Sequence, residues 1–185
     1  MKILAISGSL RAASINSALL RAAARLAPPD MRVELFDALG ALPAFNIDLE
    51  SAVPDPVLRL RQAVAGADAL LIASPEYAHG ISGALKNALD WLVSLEAFYS
   101  KPVVVLNAQP RAHHADTALR ETLRTMSASI VEPASVAIRL TADTLTDEGM
   151  LASPPVADAI ASSLAALREV LAGRAPGQGP VFPVP

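Results

Sequence analysis

The chain contains no cysteine among its 185 residues. This absence excludes disulfide bonds, thiolate catalysis and cysteine-ligated metal centres. Histidine is scarce too, since only His79, His113 and His114 are present. The pair His113 and His114 precedes Asp116, but neighbouring residues of a helix point about 100° apart. We therefore predict the solvated start of a helix here, and we expect no metal.

Long apolar runs and clusters of basic residues are also missing. Residues 1–8 form too short an apolar run for a signal peptide or a membrane span, so we expect a cytoplasmic protein without membrane contact. The formal net charge is -3 and the 15 basic residues are scattered, which argues against nucleic acid binding. Aromatic residues make up only 4% of the chain against 52% hydrophobic residues, so the core must consist of aliphatic side chains.

The sequence does contain strand-length apolar runs that alternate with helix-length amphipathic segments. This alternation predicts βαβ units around a parallel sheet. Three runs are apolar without alternation, as expected for strands that helices cover on both faces. The predicted strands are residues 2–7, 32–36, 69–74, 102–107 and 136–140. The predicted helices are residues 14–26, 56–65, 83–94, 115–126 and 155–172.

These elements fit one α/β domain over residues 1–173, followed by a Pro/Gly-rich C-terminal tail over residues 174–185. In a five-stranded parallel sheet of order 2-1-3-4-5, the strand order reverses between strands 1 and 3. Ligands of such sheets bind beyond the carboxyl ends of the strands at that reversal. The loops after strands 1 and 3 are therefore the first place to look for a site.

The loop after strand 1 is rich in groups that bind anions. Gly8 permits a sharp turn, Arg11 supplies a guanidinium that can bind an anion with two hydrogen bonds, and the start of a helix supplies backbone N–H groups. Further donors come from Ser9, Ser14, Asn16 and Ser17. A helix N-cap would account for one such residue but not for Arg11 or the repeated hydroxyls. The loop therefore predicts a phosphate site, although it matches neither the GxxxxGK[ST] nor the GxGxxG pattern.

The loop after strand 3 has the features of a wall for a planar ligand. Pro75, Gly80 and Gly83 shape a turn that brings the backbone close to the ligand. Tyr77 and the backbone of residues 75–80 supply the aromatic surface and the hydrogen-bond donors that a flavin ring requires.

The two loops together resemble the NADPH-dependent FMN reductase family. The matching residues are Gly-Ser-Leu-Arg-x-x-Ser-x-Asn from Gly8, and Pro-Glu-Tyr-x-x-Gly-x-x-Gly-x-Leu-Lys-Asn-Ala-Leu-Asp-Trp from Pro75. The resemblance covers the whole chain. It implies a flavodoxin-like three-layer fold, bound FMN, ping-pong electron transfer from NADPH or NADH, and a homodimer or homotetramer.

The resemblance also implies roles for individual residues. The phosphate and ribityl end of FMN would be held by Ser9, Leu10, Arg11, Ser14, Ile15, Asn16 and Ser17. The isoalloxazine ring would be lined by Pro75, Glu76, Tyr77, Ala78, His79 and Gly80. Two departures stand out: many members have Asn at the position of Ala78, and many have a Ser/Gly-rich loop where this chain has residues 107–111. Asn107 and Gln109 are the predicted flavin contacts there, and Arg111 is predicted to shape the entry of nicotinamide or acceptor.

The predicted function is therefore an NAD(P)H-dependent flavin oxidoreductase that reduces quinones, azo compounds, chromate or free flavin. We predict no catalytic acid–base side chain, because the flavin carries the chemistry. Two alternatives remain: a flavodoxin-type electron carrier, and a domain of the same fold without flavin. A subunit interface is expected at the apolar residues Trp91, Leu92 and Val93, with packing within the chain as the alternative for Trp91.

Overall fold

The computed structural model describes residues 1–109 and 113–173. The strands are β1 (Lys2–Ser7), β2 (Arg32–Leu35), β3 (Ala69–Ala73), β4 (Glu76–Tyr77), β5 (Gly80–Ile81), β6 (Pro102–Val105) and β7 (Ser129–Ile130). The α-helices are α1 (Ile15–Leu26), α2 (Asp55–Ala65), α3 (Gly83–Asp90), α4 (His113–Thr125), α5 (Asp147–Ala152) and α6 (Pro154–Ala172). Short 3-10 helices occupy Leu39–Ala41, Ile47–Ala52, Glu96–Phe98, Glu132–Ala134 and Ala142–Thr144.

The main sheet has the order β2-β1-β3-β6-β7, and all four of its pairings are parallel. Because β4 and β5 form a separate hairpin, this order corresponds to the predicted order 2-1-3-4-5. The flavodoxin-like fold class is thereby confirmed. The five predicted helices are present with ends shifted by up to four residues, the largest shift being at α3, which ends at Asp90.

The strands of the sheet are buried on both faces, as their unbroken apolar runs predicted. Ile3 and Ala5 point to a core cluster formed with α1, α5 and α6. Leu4 and Ile6 point the other way, to a cluster formed with α2, α3 and α4. Two helical layers thus enclose the sheet and leave the edge where the strands end as the open side of the molecule.

The prediction of the fifth strand at residues 136–140 is wrong. The fifth strand is β7, and residues 136–140 add only a single bridge, between Ala137 and Asn107. The 3-10 helix Glu132–Ala134 separates the two segments. Across this gap the Ser135 hydroxyl accepts from Val105 N at 3.0 Å and donates to Val131 O at 2.9 Å, so a side chain continues the ladder.

The prediction that Trp91 and Leu92 form a subunit interface is also wrong, and the alternative that Trp91 packs within the chain is confirmed. Both side chains are fully buried within the chain. The Trp91 indole N–H donates to Pro43 O at 2.9 Å. The Trp91 and Phe45 rings pack edge to face, with their centroids 5.0 Å apart. Only Val93 of the three is exposed, because α3 has ended before it.

The predicted tail 174–185 and Arg111 lie outside the described residues. In the part of the chain that is described, no helix is both long and apolar enough to cross a membrane.

Candidate active site

The loops after β1 and β3 meet at the carboxyl edge of the sheet and are fastened together. Gly8 N donates to Ala73 O at 2.8 Å, and the buried Ser82 hydroxyl donates to Gly8 O at 2.5 Å. A Cβ at Gly8 would lie 2.6 Å from the Ser74 hydroxyl oxygen and 3.0 Å from that of Ser82. Gly8 is therefore required because the β3 loop occupies the space that any side chain would need.

The loop after β1 presents hydroxyl protons at the start of α1. Ser14 is the N-cap, and its hydroxyl oxygen accepts from Ser17 N at 3.2 Å. The Ser9 hydroxyl oxygen accepts from Arg11 N at 3.4 Å. Because both oxygens act as acceptors towards the backbone, both hydroxyl protons remain free to donate to an anion.

Asn16 and Arg11 add two polar groups that the chain itself does not use. Asn16 is buried, yet its side chain makes no hydrogen bond to any residue that the structure describes. Arg11 is exposed, and its guanidinium has no partner among the same residues. A side-chain amide and an arginine without partners among the described residues, beside a helix N-terminus, fit a phosphate group. Ser17 differs, because its hydroxyl donates to the Ser7 hydroxyl at 2.8 Å and supports the loop from within.

The loop after β3 contains a tight hairpin that the sequence did not predict. β4 and β5 pair antiparallel, with Tyr77 opposite Gly80. The two residues at the tip, Ala78 and His79, have φ of 50° and 58°. Two consecutive left-handed residues are typical of a type I′ turn, which favours Asn and Gly and costs other residues energy. The chain thus holds the tip of its predicted flavin wall in a strained backbone conformation.

Glu76, at the start of this hairpin, acts as a cap for α4. Its carboxylate accepts from Ala115 N at 2.9 Å, in the first turn of the helix. This hydrogen bond, aided by the nearby rings of His114 and His79, lowers the pKa of Glu76 below its usual value. One oxygen of the carboxylate is therefore used within the protein, where it ties the hairpin to α4, and the contact of Glu76 with the flavin stays a prediction.

The three histidines form one stack that joins the hairpin to α4. The rings of His79 and His114 are 4.3 Å apart between centroids, and those of His113 and His114 are 4.0 Å apart. Asp116 pairs with Arg120 at 2.8 Å instead of approaching the rings. Among residues 1–109 and 113–173, no three such side chains are arranged to hold a metal ion.

Two cavities open at this edge of the sheet, at the starts of helices that cover opposite faces. One, of about 380 Å³, lies at α3 and is lined by Gly8, Leu10, Arg11, Tyr77, Ser82, Gly83 and Ala84. The other, of about 520 Å³, lies at α1 and is lined by Ile15, Ala108, Gln109, Arg139, Leu140, Thr141 and Leu145. Both volumes fall in the range of small-molecule sites, about 300–1,000 Å³.

The structure separates the two residues predicted after β6. Gln109 lines the larger cavity. Asn107 instead shapes its own loop: its side-chain oxygen accepts from Gln109 N at 2.8 Å, and its backbone pairs with Ala137. Pro75 is half-buried between β3 and the hairpin, and Tyr77 is exposed beside Arg11.

Sequence reasoning missed the residues that complete the larger cavity, Arg139, Leu140, Thr141 and Leu145. They follow the segment that pairs with Asn107, so they reach the same edge of the sheet as the two recognised loops. A signal was available: the hydroxyl residue Thr141 directly follows residues 136–140, which were predicted to be a strand, and the charged Arg139 lies near the end of that run.

Comparisons with known proteins agree with this geometry. The model of the NADPH-dependent FMN reductase family matches residues 1–143. An NAD(P)H-dependent FMN reductase of Pseudomonas aeruginosa is 36% identical over 174 residues, which cover 91% of this chain and 94% of that protein. A 2-hydroxy-1,4-benzoquinone reductase of a Burkholderia species is 44% identical over 91 residues, which cover 49% of each chain.

Among solved structures, an NAD(P)H:acceptor oxidoreductase of Paracoccus denitrificans aligns with a TM-score of 0.71 at 24% identity. The alignment covers 91% of this chain and 97% of that one. It supports the fold. The family match and the P. aeruginosa relative confirm the predicted oxidoreductase class with FMN and NAD(P)H, and they favour it over a simple electron carrier or a flavin-free domain. This chain belongs to the NADPH-dependent FMN reductase family.

Proposed function

We propose that this chain binds FMN with its phosphate at the loop between β1 and α1 and its ring against the β4–β5 hairpin, and reduces small acceptors with electrons from NAD(P)H. The acceptors are quinones, azo compounds, chromate or free flavin. The observation that carries this proposal is the set of unused polar groups at the start of α1: the amide of Asn16, the guanidinium of Arg11 and the free hydroxyl protons of Ser9 and Ser14.

Bound FMN supplies hydride and electron transfer at its N5 atom. The residues of this chain supply position and electrostatics. Arg11 and the N-terminus of α1 neutralise the phosphate, while Ser9, Ser14 and Asn16 fix its orientation. Tyr77, Pro75 and the backbone of residues 75–80 cover one side of the ring and leave the other open to NAD(P)H and the acceptor. An open face of the ring selects acceptors by whether they can reach it and not by specific contacts. Several classes of acceptor therefore fit the site.

The proposal includes a homodimer or homotetramer located in the cytoplasm. Exposed apolar side chains near the hairpin, Leu10 and Tyr77, support a partner subunit over the outer side of the flavin. Light scattering of the flavin-loaded protein measures the assembly, and fractionation of the native cells tests the location.

Replacing Arg11 tests the phosphate site directly. Arg11→Ala removes a charge-assisted hydrogen bond worth about 1.5–3 kcal/mol, which corresponds to a roughly ten- to hundredfold weaker FMN affinity. Arg11→Lys should recover only part of this affinity, because lysine lacks the planar fork. The affinity is measured by the quenching of flavin fluorescence as apoprotein is titrated.

Arg59→Ala is the matched control, because Arg59 is an exposed arginine of α2 that also has no partner in the described part of the chain. It should change FMN affinity by less than about twofold. Equal affinities for wild type and Arg11→Ala would remove Arg11 from the site. Wild-type protein that stays colourless after incubation with FMN would overturn the proposed function itself.

A further inference from the structure

The larger cavity contains an arginine that the flavin site does not account for. Seven of the ten arginines in the described ranges form ion pairs: Arg21, Arg25, Arg32, Arg61, Arg120, Arg124 and Arg168. Arg139 forms neither an ion pair nor a side-chain hydrogen bond with any described residue. The other two without partners are Arg59 on α2 and Arg11 in the phosphate loop. Arg139 therefore resembles Arg11, since both border a cavity at the carboxyl edge of the sheet.

The lining of this cavity fits a ligand that combines a flat ring with an anionic group. Its walls are aliphatic, formed by Ile15, Ala108, Leu140 and Leu145. Arg139 supplies a guanidinium, Gln109 an amide, and Thr141 a hydroxyl that also caps the 3-10 helix Ala142–Thr144. Among the described residues, no acidic side chain lines the cavity, and Asp143, the nearest carboxylate along the chain, makes no ion pair with Arg139. The positive charge of Arg139 is thus left to a ligand.

Among the molecules of the proposed reaction, NADPH has an aromatic ring, its adenine, together with an anionic group that the loop at Arg11 does not bind. Quinones carry no phosphate, chromate has no ring, and the phosphate of the bound FMN has its own loop at Arg11. NADPH differs from NADH by a phosphate on the 2′ oxygen of its adenosine. Ile15 and Gln109, both predicted to contact the flavin, place the cavity beside the proposed flavin site.

We propose that this cavity binds the adenosine end of NADPH and that Arg139, with Thr141, recognises its 2′-phosphate. Arg139 is then the residue that makes the enzyme prefer NADPH to NADH. The inference rests on the proposed function, because it takes NAD(P)H as the reductant.

Calorimetric titration of the flavin-loaded protein with adenosine 2′,5′-bisphosphate and with adenosine 5′-monophosphate tests the recognition without turnover. The wild type should bind the bisphosphate about tenfold more tightly, as expected for one exposed charge-assisted contact. Arg139→Ala should remove this preference, Arg139→Lys should restore part of it, and Arg59→Ala should leave it unchanged. Steady-state kinetics should show the same pattern: in Arg139→Ala, kcat/KM falls about tenfold for NADPH and less than twofold for NADH.

Three results would overturn the inference. The first is that the wild type binds neither nucleotide or binds both equally. The second is that Arg139→Ala keeps the preference. The third is that Arg139→Ala loses FMN affinity in the apoprotein titration, which would assign Arg139 to the flavin phosphate. A wild-type protein that fails to bind FMN at all would instead refute the proposed function, so the two failures are distinguishable. Urea unfolding checks that each variant remains folded.

Discussion

At the scale of single residues, the sequence predicted which residue types gather at the site but not how they are used. The four polar residues Ser9, Arg11, Ser14 and Asn16 were all identified from the loop after β1. Ser82 was not given a role, because its task depends on a contact across 74 positions, to Gly8 O. Ser17 and Glu76 look like ligand contacts in the sequence, yet hydrogen bonds to Ser7 and Ala115 direct them into the protein.

Ala78 offers a residue-scale prediction about strain. Its φ of 50° lies in the left-handed region, where a Cβ costs about 1–2 kcal/mol. Glycine avoids this cost but loses more conformational entropy on folding, about 0.5–1 kcal/mol. We therefore expect Ala78→Gly to raise the free energy of unfolding by about 0.5–1 kcal/mol, and Ala78→Asn to raise it as well, since asparagine tolerates this conformation.

Urea denaturation of the apoprotein measures both changes. Ala161→Gly is the control, because Ala161 is exposed within α6 and the same substitution there should destabilise by about 1 kcal/mol. A loss of stability in Ala78→Gly comparable to that in Ala161→Gly would contradict the strain at the hairpin tip.

At the scale of secondary structure, the long amphipathic helices and fully apolar strands were predictable, whereas short elements were not. Residues 136–140 have the composition of a strand, but Pro133 and the 3-10 turn before them break the ladder. β7 comprises only two residues, too few for any periodicity to reveal. The β4–β5 hairpin was missed because its strands are equally short. Its tip also has Ala78 at a position where Asn or Gly would have indicated a type I′ turn.

Glu76 connects two elements, and its effect on stability should depend on pH. Its pKa is lowered in the folded protein, chiefly by the hydrogen bond from Ala115 N. A lowered pKa means that the charged carboxylate stabilises the fold above its unfolded pKa, about 4.3, and that this contribution disappears as pH falls through the folded pKa. Glu76→Gln should therefore be less stable than wild type at pH 7, and the difference should shrink as the pH falls below about 4.3.

Urea unfolding at a series of pH values measures this difference. Glu121→Gln is the control, because Glu121 is exposed on α4 and makes no ion pair in the described part of the chain. If Glu76→Gln is less stable than wild type by the same amount at every pH, the prediction is contradicted. The lost free energy of unfolding would then come from the shape of the amide, and the charge would contribute nothing.

At the scale of the whole molecule, the parallel sheet explains why so much of the site was predictable. In a parallel sheet every strand ends at the same edge, so polar loops after different strands must meet. This rule brought together the loops after β1 and β3 and the loop after β6 that contains Gln109. The same rule applies to the loop that begins at Thr141, directly after the predicted fifth strand, but no role was assigned to that loop. The omission in the site is therefore separate from the misplaced fifth strand.

The same architecture predicts how FMN affects global stability. The loops proposed to bind the flavin follow β1 and β3, in the interior of the sheet, so the ligand should stabilise the domain as a unit. At a free FMN concentration a hundred times its Kd, the stabilisation is about 2.7 kcal/mol. For a domain of this size that corresponds to a rise in Tm of roughly 5–10 °C.

Arg11→Ala separates this binding effect from intrinsic stability. Because the Arg11 guanidinium makes no hydrogen bond or ion pair with any described residue, the Tm of the Arg11→Ala apoprotein should match that of the wild-type apoprotein. At the same FMN concentration, a tenfold weaker affinity removes about 1.4 kcal/mol of the stabilisation, so the rise in Tm should be roughly 3–5 °C smaller. Differential scanning calorimetry with and without FMN measures both quantities, with Arg59→Ala alongside. A lowered Tm of the Arg11→Ala apoprotein with an undiminished FMN response would mean that Arg11 stabilises the loop and not the phosphate.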